Sequence, residues 1–173
     1  MEKRKKKILT AILSLLLIAV YLVIFRLSAD NGENSSRISM KVSKTAVSLY
    51  YRLRGGGMDD AAFVTGAAAC VEGAVRKLAH FTEYMAVGFL AGGIWCLWVA
   101  DGQKRTAGVL VQLLVSAGLD ELHQYFVPGR HASLRDVMID VLGGCAGFAI
   151  VLCLKGLTKV WNHIRRRESE TCF

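Results

Sequence analysis

Apolar positions along this chain gather into four long blocks rather than recurring at the spacing of surface helices. The first, about residues 8–27, contains Ile8–Phe25, eighteen residues without a charge, and follows Lys3, Arg4, Lys5, Lys6 and Lys7. The second runs about 78–100 and is uncharged from Tyr84 to Ala100. The third covers about 106–125 and the fourth about 134–154. Each is close to the ~20 residues a helix needs to cross a bilayer core. A signal peptide also begins with basic residues, but its apolar part is about 7–15 residues long and ends at a small-residue cleavage site. Leu27-Ser28-Ala29 is a poor site of that kind, so the first block is read as a retained membrane helix. The expected fold class is therefore all-α: a polytopic membrane protein with a four-helix transmembrane bundle, forming one domain over residues 1–173.

Between the first two blocks the pattern changes. Ser28-Ala29-Asp30-Asn31-Gly32 has turn composition. Ile38, Val42, Ala46, Leu49 and Leu53 then recur at helical spacing, with Arg37, Lys41, Lys44 and Arg52 among them. This predicts an amphipathic helix lying at the outer membrane interface. Gly55-Gly56-Gly57 is expected to end it, and a further helical stretch, about residues 60–75, leads into the second block. The single proline lies in the turn Val127-Pro128-Gly129. No internal repeat, low-complexity tract or hairpin signal occurs.

Charge sets the orientation. Lysine and arginine number 22 against 14 acids, for a net charge of +8, and hydrophobic residues make up 53% of the chain. That composition excludes a disordered chain. A basic balance also suits nucleic-acid binding, but apolar blocks of this length make the membrane the better explanation, and no nucleic-acid partner is expected. With the N-terminus inside, segments 1–7, 101–106 and 155–173 hold twelve of the basic residues, whereas the short outer loop holds Arg130 and Arg135. The positive-inside rule then places both termini in the cytoplasm of a multi-pass cell-membrane protein. Cys70, Cys96, Cys145, Cys153 and Cys172 show no metal-ligand spacing and read as small hydrophobes rather than a disulfide framework.

This topology brings three polar clusters to one depth, the outer boundary. They are the start of the second block, the end of the third and the start of the fourth. At about 100° per residue, Arg76, Lys77, Glu83 and Tyr84 fall within about 60° of His80. On the third block Ser116, His123 and Gln124 share a similar arc with Asp120, while Glu121 is about 100° away. On the fourth, Asp136, Asp140, Gly143 and Gly147 form one stripe. Ionisable groups at membrane depth are costly and usually face a bundle interior or a polar cavity. The candidate binding residues are therefore Arg76, Lys77, His80, Glu83, Tyr84, Asp120, Glu121, Gln124, Arg130, Arg135, Asp136 and Asp140, with His80, Glu83 and Asp136 as catalytic candidates. The bland alternative is an ion-pair network that only locks helices together, with Arg76–Asp140 or Arg130–Asp136 as its pairs.

Gly143 with Gly147, and Gly88 with Gly92, have GxxxG spacing, which lets helix backbones approach closely. Ser133 and Asp136 have the spacing of a capping box. The helix starting there would aim its N-terminal dipole at the outer cavity, which favours an anion. Arg130, His131 and Arg135 add positive charge nearby, so a phosphate or carboxylate head group suits the site.

These same residues resemble a known family. Val75-Arg76-Lys77-Leu78-Ala79-His80-Phe81-Thr82-Glu83-Tyr84 is similar to the first signature of VanZ-like proteins. Asp120-Glu121-Leu122-His123-Gln124-Tyr125-Phe126-Val127-Pro128-Gly129-Arg130 is similar to the second, which continues through Ser133, Arg135-Asp136-Val137 and Asp140 to Gly143-Gly144. The serine-containing stretch Ser28, Gly32, Ser35-Ser36, Ser39 resembles a third, minor element, although Arg26-Leu27 departs from its more usual aromatic-serine start. The likeness covers about residues 8–157. It implies a small bacterial envelope membrane protein linked to resistance to the glycopeptide teicoplanin, and implies no particular reaction.

Three function classes follow. The first is a binding protein whose partners are membrane lipids and, at the outer site, an envelope lipid head group, a lipid-linked wall precursor or a lipoglycopeptide. The second is a membrane hydrolase or transferase acting on a phosphate or acyl group. There His80 or Glu83 would be general acid or base, Arg76 and Arg130 would bind the anion, and Asp136 or Asp140 would orient. The third is a transporter or channel, for which four short helices without a repeat leave little room and no ion-filter pattern occurs. No cofactor is expected. His80, Glu83, Asp120 and His123 are of metal-binding type, but no strong ligand spacing such as HExxH is present, so no metal is expected either.

Overall fold

The computed structural model describes residues 3–54 and 61–171, with side chains at all of these except 160 and 163–171. Five helices occur in the order α1 (Lys3–Ser28), α2 (Gly32–Leu53), α3 (Ala61–Trp98), α4 (Gly102–Tyr125) and α5 (Leu134–Thr171), with no strand among the described residues. The all-α expectation holds. Gly55-Gly56-Gly57 and Cys172 lie outside the described residues, and the four described cysteines are free.

Local chemistry sets the boundaries. Asn31 caps α2, its side chain accepting from the Asn34 N–H at 2.8 Å. The helix therefore starts at Gly32, six residues before the first position of the expected apolar stripe. Asp101 caps α4 through the N–H groups of Gln103 and Lys104 at 2.8 and 3.0 Å. No break separates the stretch after residue 60 from the second block. α3 is one helix of 38 residues, about 57 Å at 1.5 Å per residue.

α3 and α5 form the closest pair, and glycine makes this possible. A methyl group at Gly88 would overlap the Gly144 backbone, one at Gly143 the Phe81 backbone, and one at Gly147 the Met85 carbonyl. The GxxxG pattern thus marks a real contact, but the partner of Gly88 is Gly144, outside the predicted stripe. Gly92 faces the Phe148 ring. Leu17 and Ile24 of α1, Tyr84, Val87 and Ala91 of α3, Val109, Leu113 and Ala117 of α4, and Phe148 of α5 make the core.

The surface is inverted relative to a water-soluble bundle. Asp120, Glu121, Gln124 and Asp140 are buried, whereas Leu15, Leu22, Phe25, Val111, Leu119, Met138 and Leu142 are exposed. A solvent that accepts apolar side chains removes the cost of this arrangement. α1 and residues 134–159 of α5 are long and apolar enough to cross a membrane, their apolar windows having mean hydropathies of 2.9 and 2.3. Only 6% of the α1 apolar window is buried inside the protein, which distinguishes it from the core helix of a soluble fold. α3 and α4 do not reach that apolarity, because Glu83, Asp120, Glu121, His123 and Gln124 interrupt them.

The outer helix departs from expectation. α2 packs antiparallel along the first half of α3, as the contacts Ser39–Glu72 and Ser36–Arg76 show. A helix bound along an unbroken α3 follows the α3 axis, so α2 is one arm of a helical hairpin rather than a helix lying separately on a surface. Its buried face is Ser39 and Ser43, while the apolar residues Ile38, Val42, Leu49 and Leu53 are exposed. Short serine side chains permit the close approach.

Candidate functional site

One end of the bundle gathers the polar side chains. There α1 and α4 finish, α2 and α5 begin, and α3 passes through. Helical spacing puts Arg76, His80 and Glu83 on successive turns of one α3 face. These three line a cavity of about 190 Å³ together with Arg130, Asp30 and Ser39. Its remaining wall is largely apolar, from Leu27, Ile38, Val42 and Val75.

Behind His80 stands Asp140, which is fully buried. His80 Nδ1 lies 3.5 Å from Asp140 Oδ1, and neither carboxylate oxygen of Asp140 has a hydrogen-bond partner. Asp120 completes this group: single ligand atoms of His80, Asp120 and Asp140 all lie within 4.8 Å of one another. The set His80, Glu83, Asp120, His123 considered from sequence does not assemble. His123 turns to α1 and stacks on Phe25, with centroids 4.5 Å apart.

A chain of hydrogen bonds leads from this group to the loops. Gln124 Nε2 donates to Asp120 Oδ2 at 3.0 Å and to Ser28 Oγ at 3.3 Å. Arg130 Nη1 donates to Gln124 Oε1 at 3.0 Å. The same guanidinium donates to the Asp30 carbonyl at 3.0 Å and the Leu27 carbonyl at 2.8 Å. Arg130 therefore ties the α1–α2 turn to the α4–α5 loop. Burial, and then the nearby Arg76 charge, pull its guanidinium below the usual arginine value, opposed by Asp120, Asp30 and Glu121.

On the far side of the cavity, Glu72 accepts from both Ser39 and Arg76, and Arg76 also donates to Ser36 Oγ at 2.8 Å. The Ser39 hydrogen bond, helped by Arg76, holds the Glu72 carboxyl below its ordinary value against a smaller opposing effect of burial. Sequence reasoning missed Glu72 and Asp30. The four-residue spacing of Glu72 and Arg76 was the available signal, whereas nothing local marked Asp30.

Several expectations are corrected. Neither Arg76–Asp140 nor Arg130–Asp136 forms, because Arg76 turns toward α2 and Arg130 toward the end of α1. Lys77 and Arg135 are exposed and join no cluster. Tyr84 lies 1% exposed in the core, on the Asp120 side. The capping box is only half present. Ser133 Oγ accepts from the Arg135 N–H at 3.2 Å, but the Ser133 N–H donates to Glu121 at 2.8 Å instead of to Asp136. Asp136 remains half-exposed near the start of α5.

An all-helical protein with buried carboxylates at one end and apolar outer surfaces is a membrane protein with a polar end site. The chain belongs to the VanZ/LLP1 family, whose model matches residues 12–155. No curated protein and no solved structure matches the chain. Family membership and the apolar helices associate it with the membrane and with teicoplanin resistance.

Proposed function

We propose that the chain is a multi-pass envelope protein that binds the anionic head group of a membrane amphiphile at an outward-facing site. In this reading α1, the second half of α3, α4 and the first part of α5 cross the bilayer as one domain, with both termini cytoplasmic. The exposed apolar faces of all four helices and the basic residues at the opposite end support that arrangement.

The single observation that carries the function is the composition of the cavity between α2 and α3. Arg76, His80 and Arg130 line it together with Glu83 and Asp30, and Leu27, Ile38, Val42 and Val75 give it an apolar wall. Charge beside an apolar channel suits an amphiphile whose head is a phosphate or carboxylate. Lipid head groups, lipid-linked wall precursors and lipoglycopeptides share that chemistry. Purified protein in nanodiscs, titrated with polyprenyl phosphate, anionic phospholipid and teicoplanin in separate arms, tests this. Saturable binding that Arg76→Gln weakens is the expected result. Binding of no arm, or equal affinity for a neutral amphiphile, sinks the reading.

A second reading is a membrane hydrolase or transferase. The contact of His80 with Asp140 favours it, since a carboxylate beside an imidazole orients it as a base. Product formation in the same incubations separates the two.

A further inference from the structure

The geometry points to a divalent-cation site formed by His80, Asp120 and Asp140, taking a first-row ion such as Mn²⁺ or Zn²⁺. Three observations carry it. The ligand atoms of the three residues lie within 4.8 Å of one another, although they come from three different helices. His80 Nδ1 and Asp140 Oδ1 are 3.5 Å apart. Two neighbouring ligands bound about 2.0–2.2 Å from one ion are separated by about 3.0–3.5 Å.

The second observation is independent of that convergence. Asp140 is 0% exposed, and both its carboxylate oxygens, as well as Nδ1 of His80, have no hydrogen-bond partner. A buried carboxylate without donors is strongly disfavoured. Here a second carboxylate, Asp120, stands beside it at 8% exposure. Arg130 reaches Asp120 only through Gln124, and its donors are spent on that amide and two backbone carbonyls. One imidazole cannot balance two carboxylates, whereas a divalent ion balances both and takes Nδ1 of His80 as a ligand.

The third observation is placement. His80 lines the cavity beside α2, and Asp120 lines a second groove between α1 and α4. Three protein ligands leave open coordination positions, as in metal sites that hold an exogenous ligand. One His with two carboxylates suits Zn²⁺ and Mn²⁺ by ligand type. Gln124, which donates to Asp120, would orient that ligand from outside. An ion here would recognise a phosphate or carboxylate oxygen. This deepens the head-group reading and rests on it only for what the ion would hold.

The ion is measured without lipid ligand, so the two readings fail separately. Untagged full-length protein in detergent is stripped with EDTA and exchanged into chelator-free buffer. Mn²⁺ is then titrated by electron paramagnetic resonance and Zn²⁺ by calorimetry, with melting followed in parallel. The expected result is one ion per chain and a metal-dependent rise in melting temperature. Asp140→Asn should weaken binding by at least the roughly 10–100-fold that loss of a supporting residue costs a metal site. Asp101→Asn, at the other end of α4, should bind as wild type. Metal-free Asp140→Asn should melt at or above metal-free wild type, since an unbalanced buried charge is gone. The proposal is overturned if wild type binds neither ion saturably, or if Asp140→Asn keeps wild-type affinity. It is also overturned if metal-free Asp140→Asn melts well below wild type, the signature of a structural His80–Asp140 pair.

Discussion

Glu121, on the last turn but one of α4, accepts the backbone N–H of Ser133 at 2.8 Å and so caps α5 from a different helix. The contact joins two helices across the Val127-Pro128-Gly129 turn. It also places a carboxyl group at the N-terminal end of α5, where the helix dipole favours negative charge. Glu121→Ala leaves a half-buried N–H without its partner, which costs at most about 1–3 kcal/mol. Thermal melts in detergent should show that loss, while Glu121→Gln, which still offers an oxygen, should show less. Equal melting of wild type and the alanine variant would remove the cap from the account.

The α3–α5 contact makes a sharper packing prediction. Gly88 meets the Gly144 backbone, so a methyl there has nowhere to go. Overpacking of this kind costs about 1–3 kcal/mol. Gly66, on the same helix, faces open space, and Gly66→Ala should be neutral or stabilising by up to about 1 kcal/mol from helix propensity. The pair Gly88→Ala and Gly66→Ala should therefore shift the melting temperature in opposite directions or leave the second unmoved. A fall of similar size in both would point to a general intolerance of alanine in α3.

Much of this fold was legible because helix period and bilayer length act locally. Four apolar blocks became four helical stretches, and the turn at Ala29–Asn31 appeared where its composition placed it. The faces of α3 and α5 also followed from period, which put His80 with Glu83 and Asp136 near Asp140. What period does not supply is which neighbour a face meets. Glu121 was set apart from Asp120 by angle, yet its role depends on where the α4–α5 turn delivers Ser133. In the ion-pair alternative, Arg76 and Arg130 pair with carboxylates of α5, because charge complementarity is the only guide there. The packing of α2 against α3, a non-local event, gave Arg76 nearer partners in Glu72 and Ser36. The apolar stripe of α2 is exposed, as its period implies. The serine face that holds it to α3 carried no hydropathy signal.

Topology is open to direct measurement. With both termini inside, a reporter fused after Arg54 should read outside and one fused after Gln103 should read inside. Lys44 should react with a water-soluble amine reagent added from outside. Carrying Arg37, Lys41, Lys44 and Arg52 through hydrocarbon would cost about 2.5–3.5 kcal/mol for each at mid-membrane, which is why α2 is placed outside. Reversed reporter readings would move the whole polar end to the cytoplasmic side.

The Glu72 cluster predicts a pH dependence with a defined sign. Its carboxyl is held below the ordinary glutamate value of 4.5 by the Ser39 hydrogen bond and by Arg76. The folded state thus binds a proton less readily than the unfolded chain does. The stabilisation is complete above about pH 4.5 and is lost as pH falls through the lowered value. Ser39→Ala should raise the Glu72 titration midpoint, read by carboxyl carbon chemical shifts, and should flatten the acid limb of stability. An unchanged midpoint would show that Arg76 alone sets it.

The last prediction separates occupancy of the cavity from the charges around it. Removing His80, Arg76 or Arg130 confounds binding with folding, because each has structural partners. Ala79 lines the cavity but carries no polar group and is exposed, so enlarging it fills space without orphaning a hydrogen bond. The cavity is about 190 Å³, and a phenyl ring placed there would occupy much of it. Ala79→Phe should abolish anionic amphiphile binding in nanodiscs and lower teicoplanin tolerance in cells, with melting temperature and membrane level near wild type. Ala74→Phe, on the same helix but outside the cavity, should leave both readouts unchanged. Full binding by Ala79→Phe would show that the amphiphile does not enter between α2 and α3. The α1–α4 groove, where Asp120 is reached from the other side, would then be the place to look.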